Sequence, residues 1–387
     1  MVKAKLIATL TVVALLGAGL AACSSGSDPA SGGTPSNAAG STPCPSSAPN
    51  GPGGAPPAGA PAGGAPNIPV AKTIAPGDTS TSIVVDGSGP GIQCGKTSLT
   101  TTDDVLYDSP TSDGKEVPLK LDLQVPQTPG AKPLVVYLTG GGFASANKSG
   151  NLEQRTYVAE QGYAVASIEY RTVQNGATYK ETVADVKSAI RYLRANAAKY
   201  GIDPGKVAVW GQSAGGYLAA MTGVTNGLAQ FEGTGNPGQS STVQAVVDQF
   251  GPADISKVAA DYDVAAQQAN YVAGNSLAQF VFGPGTKLSV EDEPTVSAAS
   301  NPASYVSASN PPFVLLHGSA DQLVSPSQTL NLHNALRAKG VDSTRYVVQG
   351  GNHGDMTFMG GDPNAAKQWS SQQVMGEIVT FLGKHLG

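Results

Sequence analysis

Ser213 lies midway between two glycines, in Gly211-Gln212-Ser213-Ala214-Gly215. The residues before it, Lys206 to Trp210, read as a short buried strand, and Tyr217 to Met221 behind it read as a helix. A strand that turns sharply into a helix through two glycines leaves the central side chain exposed at a strained bend. The helix N-terminus then aims positive partial charge at whatever that side chain attacks. A serine hydroxyl is a weak nucleophile until a base takes its proton. The pattern therefore calls for a histidine, an acid behind it, and N–H donors for an oxyanion. In a chain with 49 glycines the bare motif carries little weight; the strand before it and the helix after it supply the meaning.

Four histidines compete for the role of base. His385 falls at the end of a C-terminal helical pattern and His333 inside another, so both are expected to face solvent. His317 ends an apolar run and would have to point into the site. His353 sits in Gly350-Gly351-Asn352-His353-Gly354, a glycine-rich loop after the last strand-like segment. Loops at the carboxyl ends of parallel strands are where such sheets build their sites, so His353 is the expected base. The acid should fall between serine and histidine in chain order. Asp321, in His317-Gly318-Ser319-Ala320-Asp321, is the first choice and Asp254 the second; Asp355 is too near His353 in sequence to reach behind it. Oxyanion donors are expected from the backbone of Ala214, and from Gly141 and Gly142 in Thr139-Gly140-Gly141-Gly142-Phe143, where consecutive glycines let the chain approach a substrate oxygen closely. Phe143, Gln212 and Phe358, with Met356, are the candidate pocket residues.

The elements that must carry these residues are legible from periodicity. Val117, Leu119, Leu121, Leu123 and Val125 alternate as in a half-buried strand. Leu134 to Leu138 is a continuous apolar run, expected to be buried on both faces. Further strands are expected at Tyr163–Ile168, Val207–Trp210, Ala245–Gln249, Phe313–Leu316 and Arg345–Val348. Helices are expected at Tyr179–Tyr200, stopped by Gly201, at Pro326–Lys339, capped by Ser325, and at Gln373–His385. Strands alternating with helices predict an α/β fold with a mostly parallel sheet covered on both faces. Residues 254–310 interrupt the alternation and carry Tyr262, Tyr271, Phe280 and Phe282. They predict a helical cap insertion, whose aromatics either line the pocket or pack the cap onto the body.

The N-terminal part is of another kind. Lys3 and Lys5 precede the apolar stretch Leu6–Leu20, the pattern of an export signal. Leu20-Ala21-Ala22-Cys23 resembles the lipobox of bacterial lipoproteins, which implies an acylated Cys23 as the mature N-terminus and a lipid anchor in the membrane, facing the cell envelope or exterior. Residues 1–22 are then a signal peptide. Residues 23–77, dominated by Ser, Gly, Pro and Ala, are too poor in apolar surface to fold and are expected to be a disordered tether. The folded domain is expected over 78–387, with Thr81–Val85 either an edge strand or more linker. Cys44 and Cys94 remain, in a compartment where disulfides persist; paired and unpaired states are both open. The formal net charge is −5, and no basic patch suggests a nucleic-acid partner.

Together these motifs resemble the α/β-hydrolase superfamily, in its BD-FAE and hormone-sensitive-lipase-like esterase branch, over about residues 103–387. The resemblance rests on Gly140-Gly141-Gly142-Phe143, Glu169-Tyr170-Arg171, Gly211–Gly215, Pro311–Asp321 and Gly351–Gly354. It implies hydrolysis of a small-molecule carboxylic ester through an acyl-enzyme, with Ser213, Asp321 and His353 as triad, Gly141, Gly142 and Ala214 as oxyanion hole, and neither metal nor cofactor. One position departs from the family pattern: Thr139 stands where a histidine usually precedes the glycines, which predicts a shifted loop. An amide or peptide hydrolase with the same triad, and a catalytically silent binding lipoprotein, are the competing readings.

Overall fold

The computed structural model describes residues 42–46, 70–354 and 368–387. Its centre is a nine-stranded sheet: β1 Ile83–Val85, β2 Leu99–Asp108, β3 Leu119–Pro126, β4 Lys132–Leu138, β5 Ala164–Ile168, β6 Ile202–Gln212, β7 Ala245–Gln249, β8 Phe313–Gly318 and β9 Ser343–Val348. The order across the sheet is β1-β9-β8-β7-β6-β4-β5-β3-β2. The pairings from β1 through to β5 are parallel, whereas β3 runs antiparallel to both β5 and β2. The helices are α1 Leu152–Glu160, α2 Tyr179–Ala195, α3 Ala197–Tyr200, α4 Ala214–Val224, α5 Val264–Asn270, α6 Ser276–Phe282, α7 Pro294–Ala298, α8 Ser327–Ala338 and α9 Gln372–Leu386.

Alternation along the central strands divides the core. Leu134, Val136 and Leu138 of β4 and Val207 and Val209 of β6 join one cluster with α2, α4 and α8. Val135, Tyr137, Ala208 and Trp210 point the other way, into a second cluster with α1 and α9. Successive side chains of a strand leave opposite faces, so a strand buried on both faces must read as unbroken apolar sequence. This is the α/β-hydrolase fold.

Several boundaries differ from the sequence expectation. The long helix breaks at Asn196, after a start sealed by a Thr178–Glu181 capping box, and Gly201 (φ 67°) ends the short α3. Helix α8 begins one residue later than expected, because Ser325 turns its hydroxyl to the Asp261 N–H while Asp261 accepts from the Ser327 N–H. Thr81–Val85 resolves into the edge strand β1. Strand β2 was not foreseen: it pairs on one edge only and buries only Tyr107, so it shows no apolar alternation. The folded body also reaches further toward the N-terminus than residue 78. Ala71 is buried and donates its N–H to the Gln322 carbonyl, Ile74 bridges Tyr262, and Cys44 is disulfide-bonded to Cys94. Residues 42–46 and 70–77 therefore belong to the body and not to a tether. Among the described residues no helix is long and apolar enough to cross a membrane.

Candidate active site

Strands β4 and β6, and on the far side of β7 strands β8 and β9, end at the carboxyl edge of the sheet: Gly211 is opposite Leu138, and Gly318 opposite Val348. Beyond β6 the chain turns at Ser213, with φ 56° and ψ −122°, and enters α4. The turn is possible because the residues two before and two after Ser213 lack side chains. A Cβ at Gly211 would overlap the Gly215 carbonyl, and one at Gly215 would overlap the Leu138 carbonyl. An L residue held at positive φ is strained, and the packing around it must over-determine that conformation. Here the Ser213 N–H donates to the Gln249 carbonyl at the end of β7 (2.9 Å), which locks the bend.

The His353 Nε2 lies 2.7 Å from the Ser213 Oγ, and its Nδ1 lies 2.8 Å from the Asp321 Oδ2. Three residues far apart in sequence thus form one hydrogen-bonded line. Asp321 is fully buried and its other oxygen accepts from the Leu323 and Val324 N–H groups, both at 2.9 Å. Burial pushes the carboxyl pKa up, but the His353 charge and hydrogen bonds from His317 and His353 outweigh it and hold Asp321 below the ordinary carboxylate range. The loops after β8 and β9 are stitched together: Ser319 N–H donates to the Val348 carbonyl, Ala320 N–H to the Gly351 carbonyl, and Gly350 N–H to the Ser319 hydroxyl. The His353 ring rests on Phe250 (centroids 4.7 Å apart), which in turn meets Trp369 edge-on. Neither aromatic ring was anticipated, because their sequence surroundings carry no motif.

The glycine loop after β4 runs beside Ser213. A Cβ at Gly140 would sit 3.0 Å from the Ser213 Cβ, while Gly142 takes φ 58°. Tyr170 holds this loop by donating its hydroxyl to the Thr139 carbonyl (2.5 Å). The Thr139 hydroxyl is buried and has no hydrogen-bond partner among the described residues. Ala214 opens α4, so its N–H has no partner within the helix.

Other candidates go elsewhere. Asp254 caps a short helical turn, accepting from the Ser256 N–H and hydroxyl and from Asn301. His333 is buried between Ser343 and the Thr81 carbonyl, not solvent-facing. The Gln212 side chain is buried and spent on an amide network, donating to Gln154 (2.6 Å) and Gln249 (3.1 Å) and accepting from Asn151. It supports the elbow from behind instead of lining a pocket. Phe143 is likewise buried, stacked on Phe280 of α6 (4.0 Å) and edge-on to Tyr217 of α4. The aromatics of the helical insertion therefore anchor it to the body, and Tyr262 adds a hydrogen bond to the Asp321 carbonyl. Phe358 and Met356 lie outside the described residues.

A nucleophile elbow, a histidine and an acid at the carboxyl edge of this sheet define the α/β-hydrolase class. Residues 121–336 match the BD-FAE family model, more than half of the chain, and the protein belongs to that family. It is 28% identical over 224 residues to the esterase LipC of Mycobacterium tuberculosis, an alignment covering 57% of this chain and 53% of LipC. The chain spans about half the length of the curated relatives it matches. Among solved structures, a truncated carbohydrate esterase from gut microbiota superposes with a TM-score of 0.62 at 28% identity, covering 77% of this chain and 99% of that one. The propionate-bound esterase 2 of Thermogutta terrifontis superposes at 0.55 with 25% identity, over 74% and 94% of the two chains.

Proposed function

We propose that the protein is a serine carboxylesterase acting on small to medium acyl esters. The observation that carries this reading is the unbroken hydrogen-bonded line from Ser213 through His353 to the buried Asp321. His353 takes the hydroxyl proton as the Ser213 Oγ bonds to the ester carbonyl carbon. The carbonyl oxygen becomes an oxyanion facing the N–H groups of Gly141, Gly142 and Ala214. Each well-placed donor of this kind contributes roughly 3–4 kcal/mol to the transition state. Collapse breaks the ester C–O bond, and His353 passes its proton to the departing alcohol. Water, deprotonated by His353, then attacks the acyl carbon; the Ser213 Oγ–carbon bond breaks, His353 returns its proton to Oγ, and the carboxylic acid leaves. Asp321 orients the imidazole and stabilises the imidazolium throughout. The propionate bound by the Thermogutta esterase favours a small acyl group.

The second part of the proposal concerns place. Export through residues 1–22 and acylation of Cys23 would hold the enzyme on a membrane surface. The basic n-region, the apolar stretch and the small residues before Cys23 support this reading. The enzymatic claim is tested with p-nitrophenyl esters from acetate to palmitate, on the full chain and on Ser213→Ala. Turnover with a short-chain optimum, lost in the variant, is expected; a folded protein that turns over none of them would overturn it. Labelled palmitate entering the wild type but not Cys23→Ala tests the anchor.

A further inference from the structure

Asp321 is contacted by a second histidine. His317, next to last in β8 and four residues upstream, is fully buried and places its Nε2 3.1 Å from the same Oδ2 that His353 contacts. That nitrogen also lies 3.0 Å from the Val324 carbonyl. A carbonyl and a carboxylate are both acceptors, so Nε2 carries the hydrogen. On the other side of the ring, Nδ1 lies 3.0 Å from the Thr329 hydroxyl of α8. The Thr329 oxygen already accepts from Arg345 Nε (3.0 Å). Its own hydrogen is thus available to Nδ1, which needs a donor once Nε2 is protonated. Arg345 is itself buried, and its remaining nitrogens donate to the Ser82 hydroxyl and the Pro326 carbonyl.

We propose that His317 is a positioning residue: held by Thr329, its ring clamps the Asp321 carboxylate at the same oxygen that His353 contacts. The line then runs from Arg345 through Thr329, His317 and Asp321 to His353 and Ser213. With two backbone donors on Oδ1 and two imidazoles on Oδ2, the carboxylate has one orientation, and that orientation presents Oδ2 to the His353 Nδ1–H. Without His317, Oδ2 keeps a single side-chain donor, the carboxylate is free to rotate about its backbone-held oxygen, and His353 loses its fixed aim at Ser213. His317 lies beneath the acid and cannot touch a substrate, so the effect belongs in kcat and not in KM. This inference rests on the esterase reading.

The test compares kcat and KM on the best p-nitrophenyl ester for wild type, Ser213→Ala, His317→Leu, His317→Gln, Thr329→Val and Thr329→Ser, with circular dichroism melts on each. The Nε2 hydrogen shared between the Val324 carbonyl and the Asp321 carboxylate is lost in His317→Leu, so kcat should fall about ten- to hundred-fold with KM within about twofold. Gln presents an N–H close to the Nε2 position and should restore most of the loss. Thr329→Val should lower kcat a few-fold and Thr329→Ser should not. A folded His317→Leu with wild-type kcat overturns the proposal, as does a His317→Gln as impaired as the Leu variant. Should His317→Leu fail to fold, Thr329→Val matching Thr329→Ser overturns it. Failure of the esterase reading shows separately, as a wild type no faster than Ser213→Ala.

Discussion

The two halves of the site are held by different means. On the serine side, between β4 and β6, geometry comes from backbone squeezed against backbone: Gly211 and Gly215 leave no room for a side chain, Gly140 leaves little, and Ser213 takes a positive φ. On the histidine–aspartate side, after β8 and β9, it comes from side chains bonded to one another, from Arg345 through Thr329 and His317 to Asp321 and His353. Steric exclusion has no intermediate setting, since a methyl group either fits or displaces the turn. A hydrogen-bond chain can be weakened one link at a time. The serine side should therefore fail all at once, and the histidine–aspartate side by degrees.

The sharpest way to break this comparison is Asp321→Asn. It preserves shape but turns His353 to the wrong tautomer, and kcat should drop about 10⁴-fold while the melting temperature moves little. A variant with a tenth of the wild-type rate would remove Asp321 from the central role. Gly211→Ala is the counterpart. Its methyl must displace the Gly215 carbonyl, so soluble yield, melting temperature and activity should collapse together. Retained activity in that variant would contradict the steric account. Phe143→Ala opens the stack on Phe280 and Tyr217 and should cost about 3–5 kcal/mol in denaturant titration. A much smaller cost would show that the helical insertion is anchored elsewhere.

Asp248 gives a subtler test behind the elbow. It is fully buried, its Oδ1 accepts from the Gly251 N–H, and its Oδ2 has no partner among the described residues. Burial pushes its pKa from 3.8 up to about 7. The unfolded chain ionises this group from about pH 4, the folded one only near 7. Native stability should therefore fall between those values and stay lower above them. Asp248→Asn should flatten that decline, raising the melting temperature at pH 8 more than at pH 4; parallel profiles would refute the assignment. The smallest effect is expected from Thr139→Val, which removes a buried hydroxyl without a described partner and should leave kcat within about twofold.

The same contrast explains what could be read from the chain alone. The elbow was legible because its determinants are neighbours: strand, two glycines, serine and helix lie within about twenty residues, and sterics made them conspicuous. Asp321 and His353 were legible because each follows a recognisable strand in a glycine-rich loop. His317 is set aside as a base on sequence grounds, and its partners Thr329 and Arg345 carry no motif and meet it only when α8 and β9 pack together. Phe143 and Gln212 sit beside catalytic motifs, and proximity in sequence suggested a pocket. Their burial depends on Phe280, Asn151, Gln154 and Gln249, of which Phe280 is more than a hundred residues from its partner Phe143. The bridge of Cys44 to Cys94 was undecidable for a like reason, since nothing local in a Ser/Pro/Gly-rich segment says where its cysteine will lie.

The central claim is that Ser213 is an activated nucleophile. Its most direct test is to treat the full-length protein with a fluorophosphonate and locate the adduct by peptide mass spectrometry. The account predicts one adduct, on Ser213, absent from Ser213→Ala and much slower to form in Asp321→Asn. A folded protein that takes up no label, or a Ser213→Ala variant labelled as readily as the wild type, would contradict it.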